Sequence, residues 1–199
     1  MESISVGLLG LGTVGSGVVK IIENHQDKLM HQIGCPVKIK KVLVKDVNKP
    51  RAVEIDRDLF TTNPDDVVSN PDIDVVVEVM GGVEETKKYI LTALRNKKHV
   101  VTANKDLMAV HSSELLAVAA ENGCDLFYEA SVGGGIPIIR SLVDGLASDR
   151  ITKIMGIVNG TTNYILTKMS KERIAYETAL KKAQELGFAE ADPSADVEG

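Results

Sequence analysis

Tryptophan is absent from the 199 residues, and four Tyr and three Phe are the whole aromatic complement. Proteins that stack bases or sugar rings need aromatic platforms, so single-strand nucleic-acid binding and lectin-like roles are disfavoured. Long basic runs are missing too, and 23 Lys and Arg against 28 Asp and Glu leave a net charge of −5. That balance suits neither a nucleic-acid backbone nor an anionic membrane surface. No apolar stretch approaches the roughly 18 residues needed to span a bilayer. Met-Glu-Ser leads straight into a strand-like run, without the basic region and apolar core of a secretory signal. A soluble, cytoplasmic protein is expected. The two cysteines, Cys35 and Cys124, lie far apart and have no Cys or His at metal-ligand spacing. They are expected to be reduced, buried thiols.

What is present points to an α/β protein. At 44% apolar residues a chain of this size buries about 70% of its unfolded surface, enough for one or two conventional cores. Ile4 to Gly10 has strand character and is followed by a helical stretch to about Met30, then a second strand from Val37 to Val44. Ile73 to Met80 is Val-rich and nearly continuous, as in a central strand covered on both faces of a parallel sheet. Residues 84–97 place Tyr89, Ile90, Ala93 and Leu94 at helical spacing, with acids in the first turn and bases in the last. His99 to Thr102 and Leu126 to Glu129 are further strands, with a helix over Glu114 to Glu121 between them. Such alternation predicts a Rossmann-type, doubly wound and mostly parallel sheet over residues 1–130. After Gly133-Gly134-Gly135 the texture changes. A helix is expected from Pro137 to about Leu146, a strand from Ile151 to Val158, and a last helix from about Lys171 to Leu186 capped by Gly187. Residues 131–199 are therefore assigned to a second domain of α+β character.

Gly10-Leu11-Gly12-Thr13-Val14-Gly15 directly follows the first strand and opens a helix. In such a turn the first glycine permits the bend, the second lets the backbone approach a pyrophosphate, and the third lets helix and strand pack closely. The helix N-terminus adds free N–H groups and partial positive charge. Gly10, Gly12, Thr13, Val14 and Gly15 are accordingly assigned to dinucleotide binding. The acidic residue that usually holds the adenosine ribose has no clean counterpart at the expected spacing. The second strand ends instead at Lys45-Asp46, with Lys49 and Arg51 beyond. The cations suit the 2′-phosphate of NADP and Asp46 suits NAD; NADP is the favoured reading, with NAD the alternative.

Five segments occur in order: the glycine turn, Val101-Thr102-Ala103-Asn104-Lys105, residues 129–137 (EASVGGGIP), residues 156–164 (GIVNGTTNY) and residues 186–193 (LGFAEADP). Together they make the chain resemble homoserine dehydrogenase. The resemblance implies NAD(P)-dependent hydride exchange between aspartate 4-semialdehyde and homoserine, a step of threonine, methionine and isoleucine biosynthesis. It implies that Lys105 touches cofactor and reacting oxygen, and that Glu190 and Asp196 grip the amino-acid substrate. Gly160 and Thr161 would make backbone and hydroxyl contacts near substrate and nicotinamide. The backbone carbonyls of Glu129, Val132, Gly134 and Ile136 would hold a monovalent cation, sodium, as oxygen-only ligation favours a hard ion. Sheet edges expected in the second domain favour a homodimer or higher homo-oligomer. In the family the Asp-Val-Glu-Gly of residues 196–199 is followed by a second Asp and a catalytic Lys, so the chain is expected to be a fragment, inactive alone.

Other readings stand beside this one. A noncatalytic dinucleotide-binding module or redox sensor would keep the turn without the chemistry. A thiohemiacetal-forming aldehyde dehydrogenase would need a cysteine nucleophile, and Cys124 has no helix start or basic neighbour to lower its pKa. Glu78, late in the Val-rich strand, is expected to cap the turn that follows rather than to reach the cofactor.

Overall fold

The computed structural model describes residues 3–189 and 193–197. The chain forms two compact units, residues 1–147 and 148–199. The first is built from β1 (Ile4–Leu9), α1 (Thr13–Asn24), α2 (Gln26–Ile33), β2 (Val37–Leu43), β3 (Phe60–Thr61), α3 (Asp65–Val68), β4 (Val75–Glu78), α4 (Glu84–Arg95), β5 (His99–Thr102), α5 (Lys105–Asn122) and β6 (Leu126–Phe127). All six strands are parallel, in the order β3-β2-β1-β4-β5-β6. This is the doubly wound order expected of a Rossmann sheet.

Successive strand side chains point to opposite faces, and the sheet is covered on both. Leu9, Val76, Ile90, Leu94, Val100, Leu107 and Leu115 fill one layer. Leu8, Leu11, Val19, Val42 and Val44 fill another. Each fully buried Leu contributes about 2 kcal/mol relative to exposure, so both faces hold β1 and β4 in place beneath the site. α4 carries Glu84 and Glu85 in its first turn and Arg95 in its last. α5 is longer than expected because the Asn104 side chain accepts from the Leu107 N–H at 3.1 Å and starts the helix early, while left-handed Gly123 ends it.

Several boundaries differ from expectation. The first helical stretch is two helices, interrupted at His25. Gln26 Nε2 donates to the Ile22 and Val37 carbonyls at the break, tying it to the start of β2, and neither Gly nor Pro marks it. β6 stops at Phe127, and Glu129–Ser131 is a 3₁₀ turn. The helix expected from Pro137 is reduced to a short turn that widens to a π-helix at Ser141–Gly145.

Within residues 148–199 the described elements are α6 (Gly160–Glu172), α7 (Tyr176–Glu185) and α8 (Ser194–Val197). The strand expected over Ile151 to Val158 does not form. The segment is irregular and exposed, Val158 to 97%. A strand needs a ladder partner, and none of the described strands pairs with this segment. The single helix expected over 171–186 is instead the end of α6, a left-handed Arg173 and then α7. That break folds α7 back so that Ala179 and Ala183 pack with Ile165. α6 was hidden in the sequence by Asn159-Gly160-Thr161-Thr162, which resembles a turn but caps a helix: Asn159 Oδ1 accepts from the Thr162 N–H at 2.8 Å.

Candidate functional site

In an open parallel sheet ligands bind beyond the carboxyl ends of the strands, where the strand order reverses. Here the reversal lies between β1 and β4, and the glycine turn leaves β1 at that point. Gly10 has φ +100°, and a Cβ there would lie 2.9 Å from the Met80 Cα. A Cβ on Gly15 would lie 2.3 Å from the Gly10 carbonyl oxygen. Around Gly12 an added Cβ meets nothing within 4 Å. The three glycines thus divide the roles assigned from sequence: bend, open approach and close packing. The first intrahelical bond of α1 runs from the Ser16 N–H to the Gly12 carbonyl, and no side chain caps the helix. The N–H groups of Thr13, Val14 and Gly15 therefore lack intrahelical acceptors, as an anion site requires.

Gly10 and Gly12 line a cleft of about 530 Å³. Lys45, Asp46, Lys49 and Arg51 line it from the segment after β2, Val79 and Met80 from the end of β4, and Glu85 and Tyr89 from α4. Thr13, Val14, Gly15 and Lys105 are not among its lining residues. Asp46 Oδ1 accepts from the Asn48 N–H at 2.8 Å, so the carboxylate also shapes its own turn. Arg51 donates to the Leu11 carbonyl at 3.1 Å and to the Asp46 carbonyl at 2.7 Å. It straps the glycine turn to the end of β2, and its Nε is buried without a hydrogen-bond partner. These features fit a dinucleotide: open backbone at Gly12, unsatisfied helix N–H groups and clustered cations.

Lys105 is exposed and begins α5, just beyond the carboxyl end of β5 and on the same edge of the sheet as the glycine turn. What precedes it is rigid. Glu78 is fully buried and pairs in register with Thr102. Its Oε1 accepts from the Met80 and Gly81 N–H groups at 2.9 and 3.2 Å, and its Oε2 from the Thr102 hydroxyl at 2.6 Å. Thr102 Oγ1 in turn accepts from the Asn104 N–H, and Asn104 Nδ2 donates to the Gly82 carbonyl at 2.6 Å. Glu78 caps the turn, as expected, and this chain fixes the loops after β4 and β5 to each other.

In the second glycine segment the Glu129 carboxylate accepts from the Ile139 and Arg140 N–H groups at 2.9 and 2.8 Å. Those bonds, led by that from Arg140, hold the carboxyl below its ordinary range. The Glu129 carbonyl accepts from the Val132 N–H, and that of Ile136 from the Ile138 N–H. No group of three or more acidic, His or Cys side chains suited to a metal occurs among the described residues.

In the second unit, Thr161 is buried and its hydroxyl donates to the Phe188 carbonyl at 2.5 Å. Gly160 is the first residue of α6. Asp196 accepts from Asn159 Nδ2 at 2.9 Å, joining α8 to the cap of α6. Glu190 lies outside the described residues.

Residues 10–129 match the family model of the homoserine dehydrogenase NAD-binding domain, and residues 137–199 match that of homoserine dehydrogenase. The chain belongs to the homoserine dehydrogenase family. It is 71% identical over its whole length to the homoserine dehydrogenase of Bacillus subtilis, covering 46% of that protein. The chain spans about half the length of the curated relatives it matches. The homoserine dehydrogenase structure from Thiobacillus denitrificans superposes with a TM-score of 0.89 at 42% identity, over 99% of this chain and 46% of that one. A hyperthermophilic archaeal homoserine dehydrogenase in complex with NADPH superposes with a TM-score of 0.84 at 28% identity, over 99% of this chain and 65% of that one.

Within this homoserine dehydrogenase fold, sequence reasoning missed the lining pair Glu85 and Tyr89 and the linking residue Asn104. Asn104 had a local signal, a cap residue one step before a helix that carries Asp106 in its first turn. Glu85 and Tyr89 had none: Tyr89 belongs to the apolar pattern of its helix and Glu85 to its acidic first turn, and neither pattern points to a cleft.

Proposed function

We propose that the parent protein interconverts aspartate 4-semialdehyde and homoserine with NADP(H), NAD(H) being the alternative cofactor. The observation that carries this is the Gly12 approach beside Lys45, Lys49 and Arg51 in one cleft of a homoserine dehydrogenase-family chain. When bound, the nicotinamide supplies or takes the hydride. The turn at residues 10–15 holds the pyrophosphate, and Lys45 with Lys49 meets a 2′-phosphate. Lys105 touches the cofactor and steadies the developing alkoxide, charge stabilisation of a kind worth several kcal/mol in a dry site. Glu190 and Asp196 hold the amino-acid end of the substrate, with Gly160 and Thr161 beside it. The carbonyls of Glu129, Val132, Gly134 and Ile136 take a monovalent cation such as sodium. The residues before about 130 serve the cofactor and those after it the substrate, in a cytoplasmic homo-oligomer. None of the described helices is long and apolar enough to cross a membrane.

Homoserine-dependent reduction of NADP⁺ by the full-length protein tests this reading. Lys105→Ala should lower kcat/KM by ~100-fold or more, whereas an effect below about threefold returns Lys105 to an ordinary surface residue. Retained dinucleotide binding with no homoserine-dependent turnover in the wild type would favour a noncatalytic binding module instead.

A further inference from the structure

The cleft is chemically lopsided. Its lining after β2 is cationic, while its lining from α4 is acidic and phenolic. The Tyr89 hydroxyl donates to Glu85 Oε1 at 2.7 Å, and this bond raises the phenol's pKa, so that the proton stays on Tyr89. Asp65 on α3 adds negative field at the same phenol. The Tyr89 ring packs against the buried core below and anchors the pair. Glu85 is exposed, and its Oε2 accepts no hydrogen bond and forms no ion pair among the described residues.

This arrangement has a chemical consequence for a dinucleotide, and so rests on the cofactor reading above. With the pyrophosphate on the glycine turn and the adenosine ribose at Lys45, the lining left for the base includes Thr62, Val79, Met80, Glu85 and Tyr89, of which Glu85 alone is charged. An ionised carboxylate only accepts hydrogen bonds. Adenine offers a donor at C6, its exocyclic amino group, whereas a 6-oxo purine places a carbonyl at C6, with its N1–H donor one ring position away, and leaves a carboxylate aimed at C6 facing another acceptor. We infer that Glu85, oriented by Tyr89, reads the adenine of the cofactor through its 6-amino group and selects it against 6-oxo bases.

The test compares NADPH with its deamino analogue, reduced nicotinamide hypoxanthine dinucleotide phosphate, by titrating nicotinamide fluorescence with the full-length protein. The wild type should bind NADPH roughly tenfold more tightly, as befits a hydrogen bond to a charged group. Glu85→Gln, an exposed substitution whose apo Tm verifies folding, should bring the two affinities to within about twofold, because an amide can serve either base. Tyr89→Phe keeps the ring packing and loses the orienting bond, so its ratio should fall between. Equal affinities in the wild type, or a ratio unchanged in Glu85→Gln, would overturn the inference while leaving the dinucleotide reading intact. Failure of the wild type to bind either compound would overturn both.

Discussion

The two glycine-rich segments carry similar composition and opposite physics. In the turn at 10–15, the Cβ space of two glycines is occupied by neighbours: Gly10 abuts Met80 and Gly15 abuts Gly10. In the segment at 133–135, an added Cβ at Gly134 or Gly135 meets nothing within 4 Å. Gly133 and Gly135 have positive φ, so their requirement is conformational and comes from the turn itself. The first segment is a packed platform from which one open position, Gly12, lines the cleft. The second is an exposed loop whose ends are tied by the Glu129 carboxylate. Glycine count alone does not distinguish them; the flanking strand and helix do.

The contrast can be broken most severely at the packing positions. Gly15→Ala should destabilise the fold by about 2 kcal/mol, a typical overpacking cost, and lower Tm by roughly 4–8 °C for a chain of this size. Gly134→Ala should stay within about 0.5 kcal/mol, as at an open surface position. Thermal melts of the two variants check both, and equal losses would erase the distinction.

A smaller effect is expected beside the platform, at Lys45. If Lys45 meets a 2′-phosphate, Lys45→Ala should cost NADPH about 1–3 kcal/mol of binding, the value of a charge-assisted bond, and cost NADH much less. Parallel titrations measure the difference. Arg51 contrasts with Lys45 because two of its bonds are already given to the Leu11 and Asp46 carbonyls.

The smallest effect belongs to the loop. The Glu129 carboxyl lies below its ordinary range because backbone N–H groups stabilise its charge. A free Glu therefore takes up a proton before the folded one does. The tie is at full strength above the ordinary carboxylate range and is lost as pH falls through the lowered value. Amide exchange at residues 130–140 should quicken in that acid window, and Glu129→Gln should quicken it already at neutral pH. Exchange that is insensitive to both changes would mean that the carboxylate does not close the loop.

The same contrast explains what the sequence made legible. The β1 run, the glycine spacing and the Val-rich β4 carry their partners' geometry in local pattern, because a buried parallel strand has to be apolar on both faces. The cations after β2 were visible as composition, although the strap from Arg51 to Leu11 spans 40 residues of sequence and has no local signal. Glu78 was legible as a cap, but its bond to Thr102 depends on strand register. Tyr89 was visible only as part of the apolar pattern of its helix, and Glu85 only as a first-turn acid. In the second unit, Ile151 to Val158 has strand propensity, yet a strand is a property of a pair. The Asn-Gly-Thr-Thr run shows the converse, since turn formers and helix caps are the same residue types.

Binding of the pyrophosphate at Gly12 of the turn at 10–15 is measured by thermal denaturation of wild type and Gly12→Val with and without NADPH. A Cβ added at Gly12 meets nothing within 4 Å, so the apo variant should lose no more than about 1 kcal/mol from its poorer helix cap. NADPH at about 100 times its Kd should stabilise the wild type by about 2.7 kcal/mol and leave Gly12→Val unmoved. Equal protection of both proteins would contradict the account.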